Sequence, residues 1–143
     1  MVENRQKIVI DSSLALKWVL NESDGLNQAL FIEKLIQKRL IECYVPSIFF
    51  SETLNILFRK APEKALRFLS QIRISDIMEC RLSRNQALKA GEIMQKYPKI
   101  SFYDASYHAL AIDEDATFIT ADKKYYETTK KEGSIELLEN FSL

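Results

Sequence analysis

The chain has 143 residues, 47% of them hydrophobic, and its 20 Lys and Arg balance 20 Asp and Glu for a formal net charge of +0. A chain of this length buries about 68–70% of its unfolded surface, which supports one compact domain over residues 1–143 without disulfide staples. The charge balance excludes a global basic field for nucleic acid, so any such role must rest on a local patch or a metal site.

Residues 1–7 are polar and charged, with no apolar signal core after them, and no later apolar run approaches the ~18 residues of a membrane span. A soluble, cytoplasmic protein with no membrane partner is expected. Residues 7–11 predict a short buried strand, Ile8-Val9-Ile10 ending at Asp11. Residues 12–20 predict a helix with Leu14, Leu16, Trp18 and Leu20 as its apolar bulk, followed by a turn over 21–25. Over residues 26–40 the apolar positions 26, 29–32, 35–36 and 40 follow the helical period. Residues 43–45 predict a second strand, stopped by Pro46, and residues 47–60 a third helix. Pro62, at a tolerated first-turn position, opens a fourth helix, and residues 76–80 read as a third strand. Ser83-Arg84-Asn85-Gln86 matches a capping box and launches a helix that Pro98 ends. Residues 101–112 predict a helix, 117–121 a strand, and 123–131 a helix with lysines at its favoured C-terminal end. Gly133 ends that helix and residues 135–138 form a last strand. Cys43 and Cys80 lie far apart in strand-like segments, outside any CxxC pair, and read as thiols in a reducing compartment.

Alternating strands and helices imply an α/β fold: an open, mostly parallel sheet with helices on both faces. In such sheets the site lies beyond the C-terminal strand ends. Three glycines in the whole chain exclude a P-loop or a GxGxxG fingerprint.

Four carboxylates then stand out. Asp11 and Asp122 end apolar strands, Asp104 opens an apolar helix, and Glu52 lies inside one. Taken singly, Asp11 and Asp122 also read as helix caps, and Ser101-x-x-Asp104 is a capping-box pattern. Glu52 resists that reading. Its helix is apolar on most sides, and a buried carboxylate is costly unless paired. No Lys or Arg stands one turn away, so the alternatives are a shared cation, a tip that reaches solvent, or a distant Arg. An all-oxygen set without Cys or His suits a hard ion, Mg2+ with Mn2+ as a substitute, and chemistry on a phosphate ester. Ser12 and Thr120 flank the acids, as hydroxyls that fix a ligand's orientation or as ordinary cap hydroxyls. Lys17, Lys123 and Lys124 are candidate RNA-phosphate contacts or a solvated face. His108, the one histidine, builds no zinc site and reads as a structural or surface residue. Tyr103, Tyr107, Tyr125 and Tyr126 read as base-stacking platforms or as core residues with wet hydroxyls.

The segment from Val9 to Trp18, the run Phe102-Tyr103-Asp104-Ala105 to Ala111, the strand Phe118-Ile119-Thr120-Ala121-Asp122, and Pro46 with Glu52 six residues later resemble PIN-domain proteins, particularly VapC-type toxins of toxin–antitoxin pairs. The resemblance spans residues 7–126 and is weakest over 61–99. It implies a three-layer α/β/α sandwich with about five strands, in the layered architecture of open parallel sheets. It implies Mg2+- or Mn2+-dependent endoribonuclease activity by metal-activated water, with Asp11, Glu52, Asp104 and Asp122 as the catalytic, metal-binding acids. Ser12 and Thr120 take the hydroxyl positions, and Glu127 is a loose candidate for a further acid. The implied partners are an RNA substrate, a small VapB-like antitoxin whose tail enters the acidic groove, and a second copy in a homodimer. Two rivals remain. One is a phosphoacceptor or phosphatase domain, disfavoured because residue 13 is Ser where a DxD motif needs Asp. The other is a catalytically silent PIN-like module that binds RNA or protein.

Overall fold

The computed structural model describes residues 4–21, 24–71 and 76–143. Strands β1 (Gln6–Ile10), β2 (Ile41–Pro46), β3 (Ile77–Cys80), β4 (Thr117–Thr120) and β5 (Ile135–Leu137) form one sheet in the order β3-β2-β1-β4-β5. Every pairing is parallel. Parallel neighbours need crossover connections, and helices supply them. Helices α1 (Ser12–Leu20) and α2 (Leu26–Gln37) follow β1, and α3 (Ile48–Lys60) and α4 (Pro62–Gln71) follow β2. Then α5 (Arg84–Lys96) and α6 (Phe102–Asp113) follow β3, and α7 (Lys123–Thr129) follows β4.

Both faces of the sheet are covered. Ile8, Val9 and Ile10 point alternately to opposite faces, yet all three are buried. Helix α6 packs on β1, β2 and β4, while α1 packs against α2, α3 and α4. A satellite core between α5 and α6 rests on Ile93 and on Ala90, Ala105 and Ala109, three small side chains that let the two helices approach closely. The expected α/β sandwich with five parallel strands is therefore what forms.

The chain builds outward from β1 through β2 to β3, then returns to β4 on the other side of β1. That reversal opens a crevice at the C-terminal ends of β1 and β4. Ile10 pairs with Ile119, so the next residues on each strand, Asp11 and Thr120, come level with one another.

Several boundaries differ from expectation for identifiable reasons. The turn expected over 21–25 lies partly outside the described residues; Asn21, in the left-handed region at φ 52°, closes α1. Helix α2 stops at Gln37 rather than running to residue 40. Arg39 takes φ 57°, and the Arg39 and Leu40 N–H groups bond back to the Ile36 and Leu35 carbonyls, a Schellman closure. Strand β2 extends beyond 43–45 because Gln6 of β1 registers with Ile41 and Pro46 with Cys80 of β3. The helix expected over 123–131 splits into α7 and a 3-10 turn, Lys130–Glu132, which Gly133 ends at φ 75°. The capping box at Ser83 forms, with Gln86 N–H donating 3.1 Å to Ser83 Oγ. Both cysteines are free. No helix among the described residues is long and apolar enough to cross a membrane.

Candidate metal centre

The four acids reach the crevice from four elements. Asp11 caps α1: its Oδ1 accepts from the Leu14 N–H at 3.2 Å and from Ser13 Oγ at 2.5 Å. Its Oδ2 accepts from Thr120 Oγ1 at 3.4 Å, and Thr120 Oγ1 in turn accepts from the Asp122 N–H at 3.1 Å. Asp122 caps α7 through the Tyr125 N–H at 2.9 Å. Asp104 lies in the first turn of α6, where Ser101 Oγ accepts its N–H at 3.1 Å. Glu52, half-buried in α3, accepts from Tyr107 Oη at 3.1 Å. Three helix N-termini thus carry acids, where the macrodipole favours negative charge.

Electrostatics tie these groups together. Burial holds the Asp11 carboxyl above its usual range; bonds from Ser13, Leu14 and Thr120 act in the opposite sense, and the Asp104 charge adds to the rise. Glu52 is raised by burial, against the Tyr107 hydrogen bond and with the Asp104 and Asp11 charges. Asp104 is raised by burial too, with the Ser101 bond opposing and the Asp122 charge adding to it. Like charges in one another's field disfavour the ionised forms. No ion pair among the described residues involves any of the four. Oxygen-only donors with unrelieved mutual repulsion suit a hard divalent cation.

The acids gather without closing. Among the described residues, no three His, Cys, Asp or Glu side chains form a ready ligand cluster. Each acid is held instead by its own neighbours: Asp11 by Ser13 and Leu14, Asp122 by the Tyr125 amide, Glu52 by Tyr107.

Other expected residues fall differently. The hydroxyl on Asp11 next to the first strand belongs to Ser13, not Ser12. Ser12 is buried at the first helical position and makes no side-chain bond to Asp11, because the cap carboxylate turns toward Ser13 and the Leu14 N–H. Lys17 is no free phosphate contact: it is buried, and its Nζ donates 2.7 Å to the Asp24 carbonyl. Lys123 is exposed and 3.7 Å from Glu139, and Lys124 is exposed. Glu127 is paired with Lys130 at 2.8 Å. A cleft of about 860 Å³ between α1, α2 and α4, floored by Trp18, Ile36 and Phe68, holds none of the four acids.

Tyr107, read as a base-stacking or core residue, and His108, read as structural or on the surface, are both buried and make specific polar contacts. Tyr107 is buried, stacks on Phe118 at 5.9 Å and binds Glu52; its spacing three residues after Asp104 was the available signal. His108 is buried with both ring nitrogens engaged, Nε2 2.7 Å from the Gly133 carbonyl and Nδ1 3.0 Å from Tyr125 Oη. Burial lowers its pKa, with the Gly133 carbonyl and the Glu132 charge acting in the opposite sense.

A family model described as the PIN domain matches residues 8–131. No curated protein matches the sequence. Among solved structures, the chain is similar to a toxin–antitoxin complex from Klebsiella pneumoniae, at 14% identity and TM-score 0.69 over 95% of this chain and 99% of that one. It is similar to VapBC2 of Rickettsia felis bound to a DNA fragment from its promoter, at 19% identity and TM-score 0.67 over 92% and 97%. It is also similar to VapC20 of Mycobacterium tuberculosis, a Sarcin-Ricin loop cleaving toxin, at 14% identity and TM-score 0.65 over 84% and 93%. At these identities the likeness is one of fold.

Proposed function

The chain belongs to the PIN-domain family, by the match over residues 8–131, and from that premise we propose that it is a Mg2+- or Mn2+-dependent endoribonuclease, the toxin of a VapBC-type pair. In this reading Asp11 and Asp104 hold the principal ion, and Glu52 and Asp122 complete the pocket. The observation that carries it is the set of carboxylates at the crevice where the sheet reverses, Asp11 tied through Thr120 to Asp122 and Glu52 held by Tyr107, with no ion pair to any of the four among the described residues.

When bound, the ion supplies an acidified water and charge stabilisation at the scissile phosphate. The chain's own residues do the rest. Asp11 is oriented from both sides, Oδ1 by Ser13 and Oδ2 by Thr120, so its lone pairs point in fixed directions. Tyr107 fixes Glu52 by donating its proton to the carboxylate, and its own raised pKa keeps that hydroxyl a donor throughout the neutral range. Lys124, exposed two residues after Asp122, is a candidate contact for a substrate phosphate. RNA is the substrate, a small VapB-like antitoxin the inhibitor, a second copy the dimer partner, and the cytoplasm the setting.

Cleavage of total cellular RNA by the purified protein tests the reading. RNA is expected to be cut with Mg2+ or Mn2+ and left intact with chelator or by a folded Asp11→Asn protein. Cutting by that variant would overturn the assignment. The unclosed arrangement of the acids favours a second reading, a catalytically silent PIN-like module. Intact RNA across many substrates under Mn2+, with antitoxin or RNA binding retained, would establish it.

A further inference from the structure

We propose that His108 and Tyr125 form a positioning pair that sets Asp122 against Asp104, so that the two acids can serve one divalent ion. The inference rests on the metal-site reading above and concerns residues which that reading leaves without a role.

The Gly133 carbonyl can only accept, so His108 Nε2 carries the proton in the 2.7 Å contact. A neutral ring then offers Nδ1 as an acceptor, and the Tyr125 hydroxyl donates to it at 3.0 Å. The donor and acceptor directions are therefore fixed at both ends of the ring.

This contact joins the helices that carry two of the acids. His108 stands four residues after Asp104, one turn further along α6. Tyr125 stands three residues after Asp122, and its backbone N–H is the group that the Asp122 carboxylate caps. Helix α7 is only seven residues long and packs chiefly on β5 and the adjacent 3-10 turn. Its alignment with α6 thus depends on Tyr125, whose ring also meets His108 at 5.7 Å and Phe118 at 5.9 Å. Asp122 itself is exposed, and its carboxylate is held in the structure by that one cap.

Loss of the contact should leave α7 folded but let Asp122 drift relative to Asp104. Groups that orient a metal ligand typically change metal affinity by about 10–100-fold when removed. Asparagine and glutamine at position 108 separate this role from packing. An Asn places an oxygen where Nδ1 stands and so keeps the acceptor for Tyr125, losing the Gly133 bond. A Gln places its amide where Nε2 stands and so keeps the Gly133 donor, losing the acceptor.

The experiment is calorimetric titration of the purified full chain with Mn2+, with melting temperatures measured without metal. Tyr125→Phe and His108→Gln are expected to bind Mn2+ at least about tenfold more weakly than wild type, with His108→Asn within about twofold of it. Gln86→Leu, which cuts the 3.0 Å bond from α5 to Asp113 of α6 away from the acids, is expected to lower the melting temperature and leave Mn2+ affinity unchanged. Wild-type affinity in Tyr125→Phe, or equal weakening in both His108 variants, would overturn the inference alone. No Mn2+ uptake by the wild type would overturn it together with the metal-site reading.

Discussion

At the scale of single residues, Asp11, Glu52 and Asp104 conflict with the stability of the fold that holds them. Burial raises the Asp11 pKa, so its ionised form is carried at a cost. Asn keeps the oxygen that caps α1 through the Leu14 N–H and removes that charge. Asp11→Asn is therefore expected to melt higher than wild type without metal, and about 1 kcal/mol would be read as about 4 °C. In the same variant, the rise that Mn2+ gives the wild type should vanish. A lower metal-free melting point would contradict the electrostatic account of the crevice. Tyr107→Phe tests the neighbouring link: it leaves the Phe118 stacking and deletes the bond to Glu52, and RNA cleavage is expected to fall about 10–100-fold with secondary structure retained. Among these residues, sequence logic reached Glu52 because an acid in an apolar helix demands a partner. It favoured Ser12 over Ser13, and it read Tyr107 as a base-stacking platform or a core residue with a wet hydroxyl. Which of two adjacent serines turns to a cap carboxylate depends on a side-chain rotamer, and a tyrosine's hydroxyl partner depends on a helix 55 residues away. Lys17 misled for the opposite reason: a charged residue in a helix reads as exposed until a carbonyl such as that of Asp24 is seen to take its ammonium.

Among the elements, legibility followed the strength of local chemistry. The buried strands β1 and β4 are short apolar runs that end on a carboxylate, and Ser83 with Gln86 spells a capping box; both are visible without coordinates. The end of α2 is not, because its Schellman closure puts an arginine where glycine is usual. Arg39 at φ 57° bears a left-handed strain that glycine lacks, and its contact with Asp76, 3.8 Å and largely exposed on the Arg side, contributes little. Arg39→Gly is accordingly expected to stabilise the protein by about 0.5–1 kcal/mol, read from the shift in a urea midpoint at unchanged slope. A destabilisation would mean that the Asp76 pair, not the backbone, dominates at this corner. The extra length of β2 was equally hidden, since it comes from registration with Gln6 and Cys80 on its two neighbours and not from its own residues.

For the whole molecule, the order of strands turns separate local features into a site. Asp11 and Asp122 are 111 positions apart in the chain, yet β1 and β4 are neighbours, and the reversal of the sheet brings their ends together. In the proposed metal-site reading, protons and a divalent ion compete for the same carboxylates. Because the folded pKa values of Asp11, Glu52 and Asp104 lie above the unfolded ones, 3.8 for Asp and 4.5 for Glu, the fold takes up protons as pH falls through the folded values. These acids therefore add stability toward low pH in the metal-free protein, a gain complete once pH has passed below the unfolded values. His108 works in the other sense. Its lowered pKa makes the buried neutral ring lose stability as pH drops below the unfolded value of 6.5 toward the folded one. Mn2+ binding needs the ionised carboxylates, so its stabilisation should be greatest near pH 7 and shrink on acidification, beginning above the ordinary carboxylate range. With Mn2+ at 100 times its Kd, the gain near neutrality is about 2.7 kcal/mol. Melting curves from pH 7.5 to 5, with and without Mn2+, measure the difference directly. A Mn2+ effect of constant size across that range would mean that the ion binds somewhere other than the acids at the strand ends.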